Sequence, residues 1–141
     1  MKSAATSVNK APLIGLTRKY AEGRSRFAFG LAALSAGTPM FLMGEEIGAA
    51  KYFTVGDFYQ NKEDLIGART GDGQFFFRFY QDLIRLVQAK AAARSAALDV
   101  IYRHNDNRVI AFTRSAPDQQ LLVLGSLNDA PFGQGYAGIC D

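Results

Sequence analysis

Two adjacent carboxylates, Glu45 and Glu46, are the residues of this chain best suited to chemistry. They follow a short apolar run, residues 40–43 (MFLM), which is bounded by Pro39 and Gly44. Carboxylates can act as general acids and bases, or they can bind sugar hydroxyls. Consecutive side chains usually point apart, so a facing catalytic pair is not expected here. That spacing favours a structural role, in which one carboxylate caps a helical turn and the other forms an ion pair.

A second candidate group is the aromatic side chains of a long connection over residues 49–73. Tyr52, Phe53, Phe58 and Tyr59 fall within it. A connection of this length is more typical of a functional loop than of a spacer. Its aromatic rings either form a platform on which sugars stack or anchor the loop to the core, and the sequence leaves both interpretations open.

The remaining reactive residue types indicate no catalytic or metal site. His104 is the single histidine and lies in a predicted hairpin loop, where a turn role is favoured. Cys140 is the single cysteine, so no internal disulfide forms and no zinc site of the usual ligand set is expected. Gly71-Asp72-Gly73 lacks the lysine and serine of a phosphate loop, so helix capping is the better interpretation.

Composition places the chain among globular proteins. It has 141 residues, 48% hydrophobic and 21% charged, with a net charge of +3. No apolar run approaches the roughly 18–20 residues that span a membrane, and no signal-peptide core is visible. The excess positive charge lies in the first 26 residues, where a solvated segment is favoured over a nucleic-acid surface.

Hydrophobic spacing predicts the elements that would position these residues. Ser25 can cap a helix that starts at Arg26, and glycine and proline at 37 and 39 end it. The run 40–43 then predicts a strand buried on both faces, so the two elements form one step of an α/β unit.

A second helix is predicted from Asp72, as its cap, to about Ala93, with apolar residues at helical spacing from Phe76 to Val87. After Leu98 the period changes to two. Residues 99–103, 108–113 and 120–127 predict three antiparallel strands, with a boundary between helices and strands near residue 97.

Residues 36–48 (AGTPMFLMGEEIG) resemble the eighth barrel strand of the α-amylase superfamily of glycoside hydrolases and transglycosylases. Residues 75–87 resemble the last barrel helix of that family, and residues 95–98 resemble the turn that leaves it, although proline is missing here. Residues 109–114 and 121–128 resemble the first strands of its C-terminal β-domain. Within the superfamily, the 1,4-α-glucan branching enzymes and their near relatives are most similar.

The resemblance implies a fold that is α/β followed by all-β. Residues 24–97 would supply the last strand and helices of a TIM (β/α)8 barrel, after an irregular basic segment at 1–23. Residues 98–141 would begin an antiparallel C-terminal β-sandwich domain. The catalytic Asp, Glu and Asp of the family would precede residue 24, so no catalytic residue is assigned. Glu45, Glu46, Tyr52 and Phe53 are the residues assigned to substrate binding.

The function implied by the resemblance is that of a carboxyl-terminal part of an α-glucan-active enzyme. Such an enzyme transfers or hydrolyses α-1,4-glucosidic bonds with retention, through a covalent glycosyl intermediate. The chain alone is expected to be inactive and cytoplasmic, with no cofactor, metal or membrane partner. Its expected partners are a glycogen- or starch-like polysaccharide and, through exposed strands and apolar faces, further copies of itself. The alternative is a non-catalytic module that binds glucan or another protein.

Overall fold

Helices occupy the first part of the chain and strands the second. The structure, a computed structural model, describes residues 15–49 and 64–136. Its elements are α1 (Gly15–Leu34), a 3-10 turn (Glu45–Ile47), α2 (Leu65–Thr70), α3 (Gln74–Ala89), α4 (Ala91–Arg94), β1 (Leu98–His104), β2 (Val109–Ala116) and β3 (Gln119–Ser126). The change from helix to strand falls between Arg94 and Leu98, where the change of hydrophobic period predicts it. Among the described helices, none combines the length and the hydropathy needed to cross a membrane.

The first helix begins eleven residues before its predicted start. Gly15 opens α1, so Ser25 lies inside the helix and is not its cap. The prediction of an irregular segment over residues 1–23 is therefore wrong for residues 15–23. This stretch contains mainly good helix formers such as Leu, Arg, Lys, Ala and Glu. Extending an existing helix adds one hydrogen bond per residue without a new nucleus, so an apolar stripe is not required there.

The apolar run 40–43 forms no strand, which corrects the prediction of a strand buried on both faces. Its backbone is irregular, and Met40, Leu42 and Met43 are 87%, 55% and 70% exposed. A doubly buried strand requires a hydrogen-bonded neighbour on each edge. The described part of the chain places no strand beside this run. Phe41 alone turns inward, with its ring edge-on to Phe29 and to Tyr80.

The core of the helical part lies between α1 and α3, as the spacing of apolar residues in α3 predicts. Its buried members are Phe29 and Ala33 from α1 with Phe76 and Tyr80 from α3. The predicted continuation of this helix to about Ala93 is interrupted at Lys90, where the backbone is extended at φ −106° and ψ 115°. The remaining residues form the separate short helix α4.

Glycine occupies the N-cap position of α3, and Asp72 does not cap the helix as predicted. A Cβ atom on Gly73 would lie 2.5 Å from the carbonyl oxygen of Ile47 and 2.7 Å from that of Ala68. Real Cβ contacts are essentially never that short, so a side chain does not fit at this position. The close approach of α2, the 3-10 turn and α3 therefore depends on glycine here.

The three strands form one antiparallel sheet in the order β1-β2-β3. A two-residue turn at Pro117-Asp118 joins β2 to β3, as predicted, and β1 carries an irregularity between Val100 and Tyr102. Phe112 and Arg114 lie on the face that packs against α1 and α4. Leu122 and Leu124 lie on the opposite face and are more than half exposed.

Candidate functional site

The Glu45-Glu46 pair lies in a tight turn flanked by two glycines in the left-handed region. Gly44 has φ 100° and Gly48 has φ 65°, which favour glycine at both positions. The Gly44 backbone N–H donates a hydrogen bond to Oε2 of Glu46 at 2.7 Å. The Glu46 carboxylate thus caps its own turn, which is the structural role that the sequence favours for one member of the pair.

Contacts with α3 hold this turn in place. Ile47 is buried, and a Cβ on Gly48 would meet the Phe76 ring at 3.5 Å. The Ala49 N–H donates to the Gly44 carbonyl at 2.8 Å and closes the turn. Glu45 and Glu46 are themselves half-buried in this turn.

Tyr80 links the carboxylates to that core. Its side chain is 2% exposed, and its ring stacks on Phe29 with centroids 3.9 Å apart. Burial raises the pKa of Tyr80 to about 12, and the negative charges of Glu45 and then Glu46 add to that effect. A hydrogen bond to the Ser25 side chain opposes the rise. The phenol therefore stays protonated well above neutral pH and cannot serve as a base there.

The resulting group, Glu45, Glu46, Tyr80, Phe29 and Phe41, is called the carboxylate–aromatic cluster below. Phe41 is the member whose ring reaches solvent, at 38% exposure. No hydrogen bond from a described residue engages the Glu45 carboxylate. An acceptor beside an exposed aromatic ring can bind a sugar through its hydroxyls and its apolar face. The assignment of Glu45 and Glu46 to substrate binding therefore remains a prediction.

The other two residues assigned to substrate binding, Tyr52 and Phe53, lie outside the described residues. The same holds for Phe58, Tyr59 and the only cysteine, Cys140. The aromatic platform over the connection 49–73 therefore remains a prediction, although the structure corrects the end of that connection, because residues 65–70 form the helix α2.

His104 takes the turn role that the sequence favours. Its Nδ1 accepts a hydrogen bond from the Asn107 backbone N–H at 3.1 Å, which closes the hairpin between β1 and β2. Tyr102 and Tyr136 flank it, with their hydroxyl oxygens 2.8 Å apart. This hydrogen bond, more than burial or charge, raises the pKa of Tyr102. Within the described residues, no three histidine, cysteine or acidic side chains come together as a metal site.

Arg114 is a buried residue that the sequence reasoning missed. It is 1% exposed, and its guanidinium donates to the backbone carbonyls of Ser95 and Leu34 and, at 3.3 Å, of Ala97. The alternation of β2 holds the signal that could have found it. Arg114 shares its side of the strand with Phe112, so the pattern places a charge on the apolar face.

Three further arginines were also missed as a group. Arg78 and Arg85 lie on α3 and Arg69 lies on α2, and all three line one cavity. The spacing of Arg78 and Arg85 already places them near one another on a helix. The approach of Arg69 depends on the packing of two helices, for which the sequence carries no local signal.

Comparison of the chain with protein-family models, curated proteins and solved structures gave no match. The resemblance to the α-amylase superfamily therefore remains a prediction from the motifs of the sequence. The carboxylate–aromatic cluster stands on its own geometry, independently of that resemblance.

Proposed function

We propose that this chain is the carboxyl-terminal part of an α-glucan-active enzyme, closest to the 1,4-α-glucan branching enzymes, and that it is not catalytic alone. One observation carries the proposal. The apolar run 40–43 leads directly into the Gly44-Glu45-Glu46 turn, yet three of its four side chains face solvent. The run has the apolar composition of a buried barrel strand. Its side chains are exposed as those of such a strand would be if the neighbouring strands were removed.

The energetic argument concerns those exposed side chains. Burying a leucine or methionine side chain stabilises a protein by about 1.5–3 kcal/mol relative to leaving it in water. Because Met40, Leu42 and Met43 are exposed, most of the stabilisation that their burial would give is absent. Neighbouring strands of a barrel would bury them on both faces of the sheet. Phe41 already holds the run against α1 and α3 through its contacts with Phe29 and Tyr80.

The carboxylates support a role beside the substrate. A retaining glycosidase needs two carboxyl groups about 5–5.5 Å apart on opposite sides of the bond that it cleaves. Glu45 and Glu46 are consecutive, and Glu46 already accepts a hydrogen bond from Gly44. The resemblance assigns the catalytic Asp, Glu and Asp to earlier strands, which leaves this pair near a glycogen- or starch-like substrate. That chemistry needs no cofactor, and the setting that the proposal implies is the cytoplasm.

Association between copies of the chain belongs to the same proposal. Leu122 and Leu124 form an exposed apolar strip on the outer face of the sheet. The two outer strands, β1 and β3, also present free edges among the described residues. Exposed strand edges and apolar faces favour pairing with another chain.

A second candidate function is a non-catalytic module that binds glucan or a protein partner. The observation that favours it is that Tyr80 lies close to both the exposed Phe41 ring and the charge of the Glu45 carboxylate. An aromatic ring and an acceptor suffice to hold a sugar without any reaction.

Incubation of the chain with amylose tests the first function. We expect no loss of iodine staining and no new reducing ends, because the chain carries no facing carboxylate pair in its described part. Measurable branching or hydrolysis by the chain alone would contradict the first proposal.

Migration in a native gel that contains amylose tests the second function, the binding of glucan. Retardation that Phe41→Ala abolishes, and that the exposed control Phe75→Ala leaves unchanged, supports a glucan-binding module.

A further inference from the structure

The outer side of α3 carries a cavity that the glucan proposal does not use. It has a volume of about 260 Å³ and lies between α2 and α3. Its charged lining residues are Arg69, Arg78, Asp82 and Arg85. Three guanidinium groups and one carboxylate leave an excess of two positive charges around one small space.

Helical spacing brings the α3 residues together. Gln74, Arg78, Gln81 and Arg85 recur at i, i+4, i+7 and i+11, so they share one side of the helix. That side is opposite the apolar stripe that contains the buried Tyr80. A polar helix face is ordinary for a surface helix, and it becomes concave here only because α2 lies beside it.

Arg69 supplies the wall of the cavity on the side of α2. Its guanidinium carbon lies 4.3 Å from the centre of the Phe77 ring. Stacking on an aromatic ring restricts the rotamers of an arginine and leaves the edges of its guanidinium able to donate hydrogen bonds. Within residues 15–49 and 64–136, no carboxylate pairs with Arg69.

The other two arginines share one carboxylate. Asp82 lies 3.9 Å from Arg78 and 3.6 Å from Arg85. Both contacts are solvent-exposed, so each contributes little to stability. One carboxylate cannot satisfy the ten N–H donors that two guanidinium groups carry. The pair therefore keeps free donors that can point into the cavity.

We propose that this cavity binds the phosphate group of a small phosphorylated molecule. Arginine recognises phosphate through two parallel N–H···O bonds, and phosphate offers oxygens to several guanidinium groups at once. The volume is below the roughly 300–1,000 Å³ of sites for drug-sized ligands. A phosphoryl group with a small attached moiety fits this space, whereas a polymer would contact it only at an end.

The site binds weakly and with a marked salt dependence. Its guanidinium groups are largely exposed, so solvent and ions screen their charges. A dissociation constant on the order of 1 mM matches such a site. Arg69 is held by Phe77 before any ligand arrives, and less conformational entropy is lost there on binding.

The test is an amide NMR titration of the whole chain with inorganic phosphate and, separately, with a hexose 6-phosphate, at constant ionic strength. We expect saturable amide shifts that are confined to α2 and α3. Tighter binding of the hexose 6-phosphate would indicate a sugar phosphate as the ligand, and tighter binding of inorganic phosphate would indicate the free anion. Shifts that do not saturate, or that sodium chloride reproduces, would overturn the proposal. This outcome is independent of glucan activity, so the two proposals fail separately.

Variants of Arg69 test the geometry of the site. Arg69 is exposed, so Arg69→Gln and Arg69→Lys should fold normally, which far-ultraviolet circular dichroism checks. We expect each to weaken phosphate binding about tenfold. Glutamine removes the charge, whereas lysine keeps the charge and loses the planar guanidinium that stacks on Phe77. The matched control is Arg103→Gln on the exposed β1 strand, which should bind as the unmodified chain does. Unchanged binding by Arg69→Lys, or equal weakening by Arg103→Gln, would contradict phosphate binding by the guanidinium group of Arg69.

Discussion

Tyr80 is an ionisable side chain enclosed by aromatic rings and placed near two carboxylates. Its ring stacks on Phe29, its edge meets Phe41, and its hydroxyl lies close enough to Glu45 and Glu46 to be affected by their charges. The pKa of about 12 reflects the cost of placing a phenolate in a buried position beside two carboxylates.

That pKa makes stability depend on pH in the alkaline range. An unfolded chain releases the tyrosine proton near pH 10, whereas the folded chain keeps it until about pH 12. The folded state therefore binds more protons in this interval, and the free energy of unfolding falls as pH rises from 10 to 12. A difference of about two pKa units corresponds to about 2–3 kcal/mol, which is fully present below pH 10.

We expect Tyr80→Phe to remove this part of the pH dependence while it retains the stack on Phe29. Urea unfolding from pH 9 to pH 11.5 measures it, with the more exposed Tyr20→Phe as the control that keeps the wild-type slope. Equal slopes for the unmodified chain and Tyr80→Phe would show that the phenol does not titrate in this way.

At the scale of elements, Arg114 connects the sheet to the helices. It donates from β2 to the last carbonyl of α1, at Leu34, and to the carbonyls of Ser95 and Ala97 after α4. The final carbonyls of a helix have no partner within the helix and carry partial negative charge. A buried guanidinium thus pairs with one of the final carbonyls of α1 and neutralises part of the helix dipole.

Arg114→Met should therefore destabilise the fold by about 2–4 kcal/mol, because the carbonyls lose their donors in a partly buried position. Urea or thermal unfolding measures the change. The control is Arg103→Met on the exposed part of β1, which should change the free energy of unfolding by no more than about 0.5 kcal/mol. A small effect of Arg114→Met, equal to that of the control, would show that water replaces these hydrogen bonds at no cost.

The elements differ in how well the sequence predicted them, and the range of their contacts explains the difference. The three strands are joined by short turns, so their alternating pattern and their partners lie close together along the chain. The run 40–43 has a strand composition, but no strand of the described residues lies beside it, and it stays irregular. The start of α1 was missed because residues 15–23 extend an existing helix without an apolar stripe of their own.

The same reasoning applies to the candidate site. The local sequence alone shows that Glu45 and Glu46 are adjacent, and it favours a capping role for one of them. The approach of Tyr80 to that turn requires α3 to pack against it, and the sequence carries no local signal for this contact. Tyr52 and Phe53 lie outside the described residues, so their part of the site stays a prediction.

At the scale of the whole molecule, exposed apolar surface is the feature that calls for an explanation. It includes the run 40–43, the strip of Leu122 and Leu124 on the outer face of the sheet, and the side chains of Ile66 on α2 and Phe75 on α3. Exposed apolar side chains in such numbers are typical of surfaces that contact other protein segments. The central claim is that the remaining strands of a glucan-active barrel cover the first of these places.

The reading frame upstream of the Met1 codon tests this claim most directly. We expect in-frame codons for seven preceding strand–helix units, with an Asp, a Glu and a second Asp after the fourth, fifth and seventh strands. A stop codon directly upstream in that frame, with no such units encoded before it, would contradict the claim.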